Sequence, residues 1–585
     1  MEFNLKLRIL LISIAFGLLS AQPILAAIQR PTDYSSYVRY PLCRTSHAVR
    51  FPTNLEDVVS IINEAIYRGV SVKAFGMRHS TTDIICTDGI PIDMRLLKSM
   101  KMNDDKTVTF GAGVTLQEAG EFLLQHGLAL RVVPAFGNLT LAGVIGTGAH
   151  GSSIKFHSTI SAQVTKMTIV DGRGTVKVIS TSNDLKAFKI HLGLLGVIVD
   201  LTLETVPLYK VKSHVYVASD AVLQNGEAIN WAKASDQLTL FWFPSINEVV
   251  VSNLSFVAPE TVGNHKLFMS TTFRSNVLDT IYKESAYNLS SNDCTAASTL
   301  GNKMMHLLEM RFRTSLVQLG ESEASSIVGY PHDVLSAICG VEACMWSHPK
   351  PFAEETLEMD FDFNLNDLPA AASTIKDIIS KTPTSFPMHG IVIRFSGKSD
   401  IYMSTSYKRD SCHLGFKLWL RTDAYNHASG NLAGYQTISQ VLTKKFKARS
   451  HWGKGGLVYH NRRMLDLKLD PYARQKFISA MEEYDPNGIF LNNFGRRLIY
   501  DNTEIDSDPL TTRCALLDNC FCSKNADCGL HQTCTTISGF DYPVCQTKNV
   551  VTTKFELADF PASFQVENWF FNTFPPAFQS LKCQQ

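Results

Sequence analysis

Hydrophobic residues in the first third of the chain recur with spacings that alternate between those of strands and those of helices. Apolar residues from Val58 to Ile66 follow a helical period, and Thr53 with Glu56 forms a capping-box pattern that predicts where this helix begins. A second helix is predicted over 115–126. Strands are predicted over 47–51, 70–75, 107–110 and 128–133. Such an order is typical of an α+β domain with many short elements.

The pattern of elements changes further along the chain. A hairpin is predicted where two apolar runs, 164–170 and 175–179, flank the turn dipeptide Asp171-Gly172, and the glycines at 193 and 196 lead into a buried strand. Beyond residue 209, longer strands are predicted over 211–217, 238–243 and 249–256, with helices over 368–380 and 433–446. A helix over 471–484 then precedes the turn Asp485-Pro-Asn-Gly488. The change indicates a second domain, followed by a further segment that contains a helix and a turn.

The composition is that of a large globular protein. The 585 residues are 45% hydrophobic and 19% charged, and the net charge is +1. No polybasic run is present, which argues against nucleic-acid binding by a basic face. The net charge indicates no particular electrostatic partner.

The first 27 residues have the features of a secretory signal peptide. Lys6 and Arg8 precede an apolar core over 9–19, and small residues gather at 21, 26 and 27. We expect removal of 1–27, a mature protein without a membrane segment, and an extracellular, apoplastic or vacuolar location; a signal anchor is the alternative. Glycosylation acceptor motifs at Asn138, Asn253 and Asn288 fit this route.

Thirteen cysteines in an exported chain predict disulfides. Six of them crowd the segment 514–545. This cluster has no Cys-x-x-Cys pair, so disulfides are favoured over a zinc site and no metal is expected. The odd total leaves at least one thiol free or paired between chains.

Two glycine-containing segments carry the candidate chemistry. Gly76-Met-Arg-His-Ser80 follows an apolar run, and 143–153, which is predicted to be a loop, combines glycines, small hydroxyl residues and a histidine. Glycines let a backbone approach a diphosphate closely, and successive N–H groups form a concavity for anions. These segments predict a phosphate-bearing cofactor. Gly111-Ala-Gly113 lacks the third glycine of a dinucleotide fingerprint and is interpreted as an ordinary turn.

Several motifs together carry a family resemblance. Gly76-Met-Arg-His-Ser80, the loop 146–152, Gly193-Leu-Leu-Gly-Val-Ile198 and His451-Trp-Gly-Lys454 resemble the FAD-linked oxidases of the vanillyl-alcohol oxidase type. Within them the chain is similar to the aldonolactone and alditol oxidases, and above all to the plant L-gulono-1,4-lactone oxidase-like group. That group shares Cys86-Thr-Asp-Gly89, the turn 484–488 and the segment that begins Cys514-Ala-Leu.

The resemblance implies a fold class and a domain order. An α+β, two-subdomain FAD-binding domain is expected over 40–208 and an α/β substrate (cap) domain over 209–448. A C-terminal return to the flavin site is expected over 449–500, and a small cysteine-rich disulfide module over 510–546. The tail over 547–585, rich in phenylalanine and proline, has no assignment.

The resemblance also implies which residues bind FAD. His79 matches the histidine that many members bond covalently to the C8α methyl of the flavin. The remaining cofactor-binding positions come from the same loop, from the loop that holds the pyrophosphate, and from a backbone region near the adenine. They are Gly76, Arg78, Ser80, Gly146, Thr147, Gly148, His150, Gly151, Ser152, Gly193, Gly196 and Ile198.

Two further positions match catalytic residues of the family. Lys454 matches a lysine near the flavin N1/O2 locus, where a cation would stabilise the anionic reduced flavin. Arg394 matches the arginine of a Glu-x-Arg pair that lines the substrate pocket, although strand alternation alone would make it an outward-facing side chain. Val392 stands where that pair has its glutamate, and valine cannot hydrogen-bond a substrate hydroxyl.

The resemblance implies an FAD-dependent oxidase of a CH–OH group that uses oxygen and releases hydrogen peroxide. L-gulono-1,4-lactone, oxidised to a keto-lactone that tautomerises to ascorbate, is the expected substrate. Val392 motivates one alternative, an oxidase of another secondary alcohol or an amine on the same scaffold. The other alternative is an exported binding protein without turnover.

Overall fold

The computed structural model describes residues 32–37, 41–264, 327–335, 356–382, 390–419, 432–500, 509–529 and 532–547. The strands are β1 (Tyr34–Ser35), β2 (Leu42–Cys43), β3 (Val72–Phe75), β4 (Ile90–Asp93), β5 (Met100–Met102), β6 (Val108–Gly111), β7 (Leu128–Ala129), β8 (Val164–Val170), β9 (Val176–Ile179), β10 (Val197–Leu203), β11 (Val206–Pro207), β12 (Lys210–Ser219), β13 (Gln237–Phe243), β14 (Glu248–Val257), β15 (Ile327–Gly329), β16 (Thr356–Asn364), β17 (Ile391–Ser396), β18 (Ser411–Trp419), β19 (Arg449–Ser450), β20 (Gln532–Thr536) and β21 (Pro543–Thr547).

The α-helices of the described residues lie between these strands and after them. They are α1 (Leu55–Arg68), α2 (Leu116–Gln125), α3 (Leu141–Thr147), α4 (Ser182–Phe188), α5 (Ala221–Gln224), α6 (Glu227–Ala234), α7 (Pro331–Val334), α8 (Leu368–Lys381), α9 (Ala433–Lys444), α10 (Arg462–Lys468), α11 (Pro471–Tyr484) and α12 (Asn493–Tyr500). None of the helices in the ranges given above combines the length and the apolar character that crossing a bilayer requires. The predicted signal peptide and most of the aromatic tail lie outside the described residues.

The first sheet has the strand order β5-β6-β10-β8-β9 and is antiparallel throughout. The predicted hairpin is confirmed, since β8 and β9 pair across the turn at Asp171. Nearby, β3 and β4 form a small parallel pair. Helix α1 buries Val58, Ile61, Ile62 and Ala65 in the same hydrophobic core. We refer to these elements, over residues 41–208, as the first module.

Three predictions for this module are wrong in detail. Helix α1 begins after Asn54, whose side chain accepts the N–H of Asp57, because this asparagine, one residue past Thr53, is the better-placed cap. The segments 47–51 and 128–133 hold only an isolated bridge at Arg50 and the two-residue strand β7. Phe51 of the first segment is 53% exposed, whereas Leu130, Val132 and Val133 of the second are buried without extending a sheet.

The second sheet spans eight strands in the order β15-β12-β14-β13-β17-β18-β16-β19. Its side chains alternate between two environments, as the pleat requires. One face, which includes Trp242, Ile393, Leu414 and Phe361, is fully buried against α8 and α9. The other face carries polar and charged residues and is turned toward the first module. We refer to this sheet and its helices, over residues 209–450, as the second module.

The chain then returns to the first module. Helices α10, α11 and α12 contribute Leu465, Phe477 and Leu498 to the core of that module. Helix α11 has the predicted bounds because Asp470 accepts two backbone N–H groups at its start and Pro471 occupies its first turn. The return segment places the loop 451–456 between the two modules.

A small disulfide-linked module follows the return segment. Its bonds are Cys514–Cys520, Cys522–Cys534 and Cys528–Cys545, which confirms the predicted disulfides of the clustered six cysteines. A further bond joins Cys43 to Cys86 in the first module. Among the cysteines that the structure describes, Cys412 has a buried free thiol. The remaining cysteines lie outside the described residues.

Candidate active site

A cavity lies where the two modules meet. Its wall is built from the end of β3, helix α3, the loop before β10, and residues of the second module and the return segment. Most of the predicted site residues line it: Gly76, Arg78, His79, Ser80, Gly146, Thr147, His150, Gly193, Gly196, Ile198, Arg394 and Lys454. Residues far apart in sequence therefore meet at one cavity.

One wall joins Gly76, at the end of β3, to helix α3. A Cβ atom at Gly76 would lie 2.8 Å from both Cβ and Cγ2 of Thr140, the residue before α3, so only glycine fits. The prediction that 143–153 forms a loop throughout is wrong, because 141–147 is helical. Leu141, Val144 and Ile145 are fully buried on one side of α3, and their burial outweighs the low helix propensity of the glycines.

His79 lies between two aromatic rings at the cavity wall. Its ring stacks on Tyr37 at a centroid distance of 4.5 Å and an interplanar angle of 9°, and it packs against Phe136 at 4.9 Å. The imidazole is half-buried. Its orientation is therefore fixed by packing on both faces.

The loop that carries Lys454 is held in place by hydrogen bonds to three of its backbone carbonyl groups. The N–H of Thr81 donates to the carbonyl of Gly453 at 2.8 Å, and the Thr82 hydroxyl donates to the carbonyl of Trp452 at 3.1 Å. His460 Nε2 donates to the carbonyl of Lys454 at 2.7 Å. These bonds hold the lysine at a defined place on the cavity wall.

A clasp between the return segment and the first module supports that loop. Arg497 bonds both carboxylate oxygens of Asp83, at 2.6 and 2.9 Å, and its Nε donates to the carbonyl of His460 at 3.0 Å. The ion pair is largely buried, with exposed side-chain fractions of 9% and 17%. The clasp thus connects the position of His460, and through it Lys454, to the first module.

The ammonium group of Lys454 is paired with a carboxylate. Its Nζ lies 3.2 Å from Oε2 of Glu358 on β16, and the hydroxyl of Tyr37 donates to Oε1 of the same carboxylate at 2.5 Å. Since Tyr37 also stacks on His79, one chain of contacts links His79 to Lys454. Both residues belong to one end of the cavity.

Arg394 belongs to a buried charged cluster at the same end. Its Nη2 lies 2.5 Å from Oδ2 of Asp360, and Nε2 of His150 lies 3.9 Å from the same oxygen. The rings of His150 and His413 stack at 3.9 Å, and Nδ1 of His413 lies 3.7 Å from the other carboxylate oxygen. Arg394 therefore faces the cavity and not the solvent, which strand alternation alone would predict.

The electrostatics of this cluster follow from burial and proximity. Burial would raise the pKa of Asp360, but the guanidinium of Arg394 and the neighbouring histidines hold it well below its usual value. Burial lowers the pKa of His150 well below its usual value and that of His451 to about 3. The cluster therefore contains an ionised Arg–Asp pair next to the neutral imidazoles of His150 and His451.

Gly148, Gly151 and Ser152 are not among the described residues that line the cavity. Gly148 ends α3 in the left-handed conformation, with φ of 70°. Ser152 joins the two modules: its hydroxyl donates to the carbonyl of Leu238 and accepts the N–H of Phe395 at 3.0 Å. These residues therefore shape the junction beside the cavity.

Another part of the cavity wall is formed by the loop 191–196. The N–H of Gly193 donates to Nδ1 of His191 at 3.0 Å, and burial lowers the pKa of that histidine to about 3. Nε2 therefore carries the ring hydrogen, and within the described residues it has no hydrogen-bond partner. Lys73 donates to the carbonyls of Leu192 and Gly193 at 2.9 and 3.0 Å, which fixes the loop.

Several residues near this cavity lie outside the motifs that carry the family resemblance, although some of them leave another signal in the sequence. Asp360, Glu358 and Asp362 lie at every second position of β16, and charges at that period in an apolar strand indicate a polar face turned to a site. His191 stands directly before the Gly-Leu-Leu-Gly motif and could have been added to it. Tyr37 and Lys73 carry no signal of this kind.

Two family models match this chain. The FAD binding domain model matches residues 46–180, and the D-arabinono-1,4-lactone oxidase model matches residues 201–498. The first match covers β3 and α3, and the second covers Arg394, Lys454 and Asp360. The cavity thus lies between the two matched regions.

Curated proteins of similar sequence include several lactone oxidases. L-gulonolactone oxidase of Mus musculus is 27% identical over 457 residues, which are 77% of this chain and 94% of that protein. L-gulonolactone oxidase 5 of Arabidopsis thaliana is 27% identical over 532 residues, 83% of this chain and 85% of that protein. L-gulono-1,4-lactone dehydrogenase of Mycobacterium tuberculosis is 25% identical, covering 80% and 99%.

Solved structures support the fold. A cholesterol oxidase from Brevibacterium sterolicum superposes with a TM-score of 0.63 at 15% identity, over 80% of this chain and 96% of that one. Together with the two family models, this confirms the predicted fold class, a mixed α/β oxidase of the vanillyl-alcohol oxidase type with a cysteine-rich C-terminal module.

The residues of the cavity fit FAD. Gly76, Gly146 and Gly196 give its wall a backbone surface without Cβ atoms, as close approach to a diphosphate requires. The Nε2–H of His191 is a buried donor that a bound acceptor group would satisfy. The cavity lining combines the cationic side chains of Lys73, Arg78, Arg394 and Lys454 with apolar ones such as Val197 and Phe490. This lining therefore suits a cofactor that combines a charged diphosphate with apolar ring systems.

Proposed function

Because the chain belongs to the D-arabinono-1,4-lactone oxidase family, we propose that it oxidises the hydroxyl group next to the carbonyl of a sugar lactone, with L-gulono-1,4-lactone as the substrate. The protein is an FAD-dependent oxidoreductase. The proposed product is the keto-lactone that tautomerises to ascorbate, and the proposed acceptor is oxygen, which takes up two electrons and two protons as hydrogen peroxide.

The observation that carries this proposal is that Arg394, Lys454 and His79 share one end of the cavity. Bound FAD supplies the hydride acceptor. Arg394 presents guanidinium N–H groups to the cavity, which suit the carbonyl oxygen of a lactone. Lys454 places a positive charge there, which favours the development of negative charge next to it. The second sheet and the loop 451–454 both contribute residues to the cavity wall beside these groups.

The test is a panel of substrates scored by peroxide release from flavin-loaded protein. L-gulono-1,4-lactone should be oxidised at a higher kcat/KM than simple secondary alcohols or amines, and Arg394→Lys should lower this value by about 100-fold, because a point charge cannot replace the bidentate donor. Preferred oxidation of a simple alcohol or an amine would instead establish the alternative that Val392 motivates.

His79 is the proposed attachment point for a covalent flavin. Support comes from its place on the cavity wall and from the two rings that fix its orientation. A neutral imidazole nitrogen is a nucleophile, as this bond requires. Acid precipitation tests it: yellow colour should stay in the pellet of the wild type and move to the supernatant in His79→Ala. Colour released by the wild type would contradict the covalent bond.

The proposed location is the secretory pathway, with an extracellular, apoplastic or vacuolar destination. The disulfides of the described residues support it, because such bonds form and persist in oxidising compartments. A fluorescent fusion to the C-terminus would be found outside the cytosol. Retention in the cytosol with reduced thiols would contradict the proposal.

A further inference from the structure

Position 392 and Asp360 belong to one row of the second sheet. Gly415 on β18 is the cross-strand partner of both Val392 on β17 and Asp360 on β16. Cross-strand partners point to the same face, so Val392 and Asp360 lie on the polar face, separated by a residue without a side chain. A Cβ at Gly415 would lie 3.6 Å from Cβ of Val392 and 4.0 Å from Oδ2 of Asp360.

The gap at Gly415 lets the carboxylate of Asp360 occupy the space next to position 392. From there Oδ2 pairs with Arg394, which is two residues beyond Val392 on the same strand. The arrangement thus contains an arginine and a carboxylate in contact, although β17 itself contributes only the arginine. Because position 392 is a valine, β17 contributes no carboxylate here, and Asp360 on β16 supplies one from the same row.

Asp360 has hydrogen-bonding capacity that the described residues do not use. Its side chain is 1% exposed and lines the cavity together with Arg394 and Lys454. Oδ1 has no hydrogen-bond partner among the described residues, and Nδ1 of His413 lies 3.7 Å from it. A buried carboxylate oxygen without a donor is costly unless a ligand supplies one.

We propose that Asp360 is the carboxylate of the substrate pocket and accepts a hydrogen bond from a lactone hydroxyl other than the one that is oxidised, an inference that rests on the proposed function. Arg394 binds the carbonyl of the lactone, and Asp360 accepts a hydrogen bond only from a lactone that carries a further hydroxyl group. The pocket therefore selects polyhydroxylated lactones in spite of Val392. Asp360 is a specificity residue, because an acceptor favours ligands that bring a donor.

The proposal differs from a purely structural role of Asp360 in what it predicts for two ligands. If Asp360 only orients Arg394, its loss weakens binding of all lactones alike, because every lactone has the carbonyl. If it also accepts a hydroxyl, its loss weakens binding of hydroxylated lactones selectively. The ratio of two affinities therefore separates the two roles.

The test uses flavin-loaded protein and two lactones that lack the hydroxyl next to the carbonyl, so that they bind without being oxidised. 2-Deoxy-D-ribono-1,4-lactone carries other hydroxyls, and γ-butyrolactone carries none. Dissociation constants come from the change that each ligand causes in the visible spectrum of the flavin. The wild type should bind the hydroxylated lactone at least about tenfold more tightly, which corresponds to a hydrogen bond to a charged acceptor.

Asp360→Asn keeps the shape of the side chain and replaces the charged acceptor. The preference should fall to about twofold or less, while the affinity for γ-butyrolactone changes by less than about threefold. Equal affinity of the wild type for both lactones would overturn the proposal, as would an unchanged preference or a uniform loss of affinity in Asp360→Asn.

A second variant covers the case that Asp360→Asn does not retain flavin. The double variant Asp360→Asn/Val392→Glu restores a carboxylate across Gly415, next to Arg394. It should bind flavin and regain the preference for the hydroxylated lactone, and binding of both lactones without preference would contradict the proposal. The wild-type preference is measured in either case, so the proposal stays testable.

Oxidation of L-gulono-1,4-lactone by the same wild-type preparation separates this inference from the proposed function. If Asp360 governs the preference but no lactone is oxidised, the pocket assignment holds and the proposed reaction is wrong. If the lactone is oxidised but the preference does not depend on Asp360, the reaction holds and the assignment is wrong.

Discussion

The contact between Gly76 and Thr140 defines one wall of the cavity, and Gly76→Ala tests it. Gly76 is absent from the residues with positive φ, so its backbone conformation suits alanine and steric overlap alone decides the effect. The added methyl group would overlap the Thr140 side chain, with both of its carbons at 2.8 Å. Strand β3 and helix α3 would have to separate, and both line the cavity.

The magnitude follows from overpacking of a rigid contact. Such substitutions cost about 1–3 kcal/mol, which for a domain of this size lowers Tm by about 2–12 °C. Because the displaced segments hold FAD, the flavin content per protein should also fall. Thermal unfolding and visible absorbance of the purified protein measure the two effects.

Two control variants isolate the contact with the Thr140 side chain. Gly143→Ala lies near the same threonine, but its Cβ would meet only Oγ1, at 3.1 Å, and the hydroxyl can rotate away. Its Tm should equal or exceed that of the wild type, since alanine favours the helix. Gly76→Ala/Thr140→Gly removes the overlapping atoms and should recover most of the loss. Wild-type Tm and flavin content in Gly76→Ala would refute the packing argument.

The remaining predictions concern the return segment and the disulfide-linked module. Arg497→Lys should lower the unfolding free energy by about 2–4 kcal/mol, because it breaks the buried bidentate pair with Asp83. The control Arg463→Lys changes an exposed residue and should leave the unfolding free energy unchanged within about 0.5 kcal/mol. Thermal unfolding of the two variants measures the difference. Burial raises the pKa of Asp518 from 3.8 to about 7, so its contribution to stability is present below pH 3.8 and is lost as pH rises to about 7. Between pH 4 and pH 8 the Tm of Asp518→Asn should therefore rise relative to that of the wild type, with a gain in unfolding free energy of up to about 4 kcal/mol. A difference in Tm between the two proteins that does not depend on pH would contradict this prediction. Replacing both Cys514 and Cys520 by serine should cost about 2 kcal/mol, as expected for a short closed loop, and a dithiol reductant should then have less effect on Tm than it has on the wild type.

Local signals explain which elements can be predicted from the sequence. Helix α11 has its predicted bounds because Asp470 and Pro471 mark its start, and the β8–β9 hairpin follows from the turn at Asp171. The glycine segment is wrongly predicted as a loop since its glycine content hides the apolar period of Leu141, Val144 and Ile145. Tertiary burial on one side of a short helix is not visible in composition.

The site divides in the same way. Motif resemblance places His79, Lys454 and Arg394 at one cavity, because each stands in a short and specific segment. Asp360 escapes sequence reasoning because its role depends on strand register: it becomes the neighbour of position 392 only through pairing with Gly415. Long-range pairing of strands cannot be derived from one sequence. The alternative substrate that Val392 motivates in the sequence analysis considers β17 alone.

Anaerobic mixing of the flavin-loaded protein with L-gulono-1,4-lactone tests the central claim most directly. The account predicts that the visible absorbance of the oxidised flavin is lost on mixing, and that admission of air restores it with one hydrogen peroxide formed per flavin. An absorbance that no sugar lactone changes, in protein whose flavin a chemical reductant still bleaches, would contradict the assignment as a lactone oxidase.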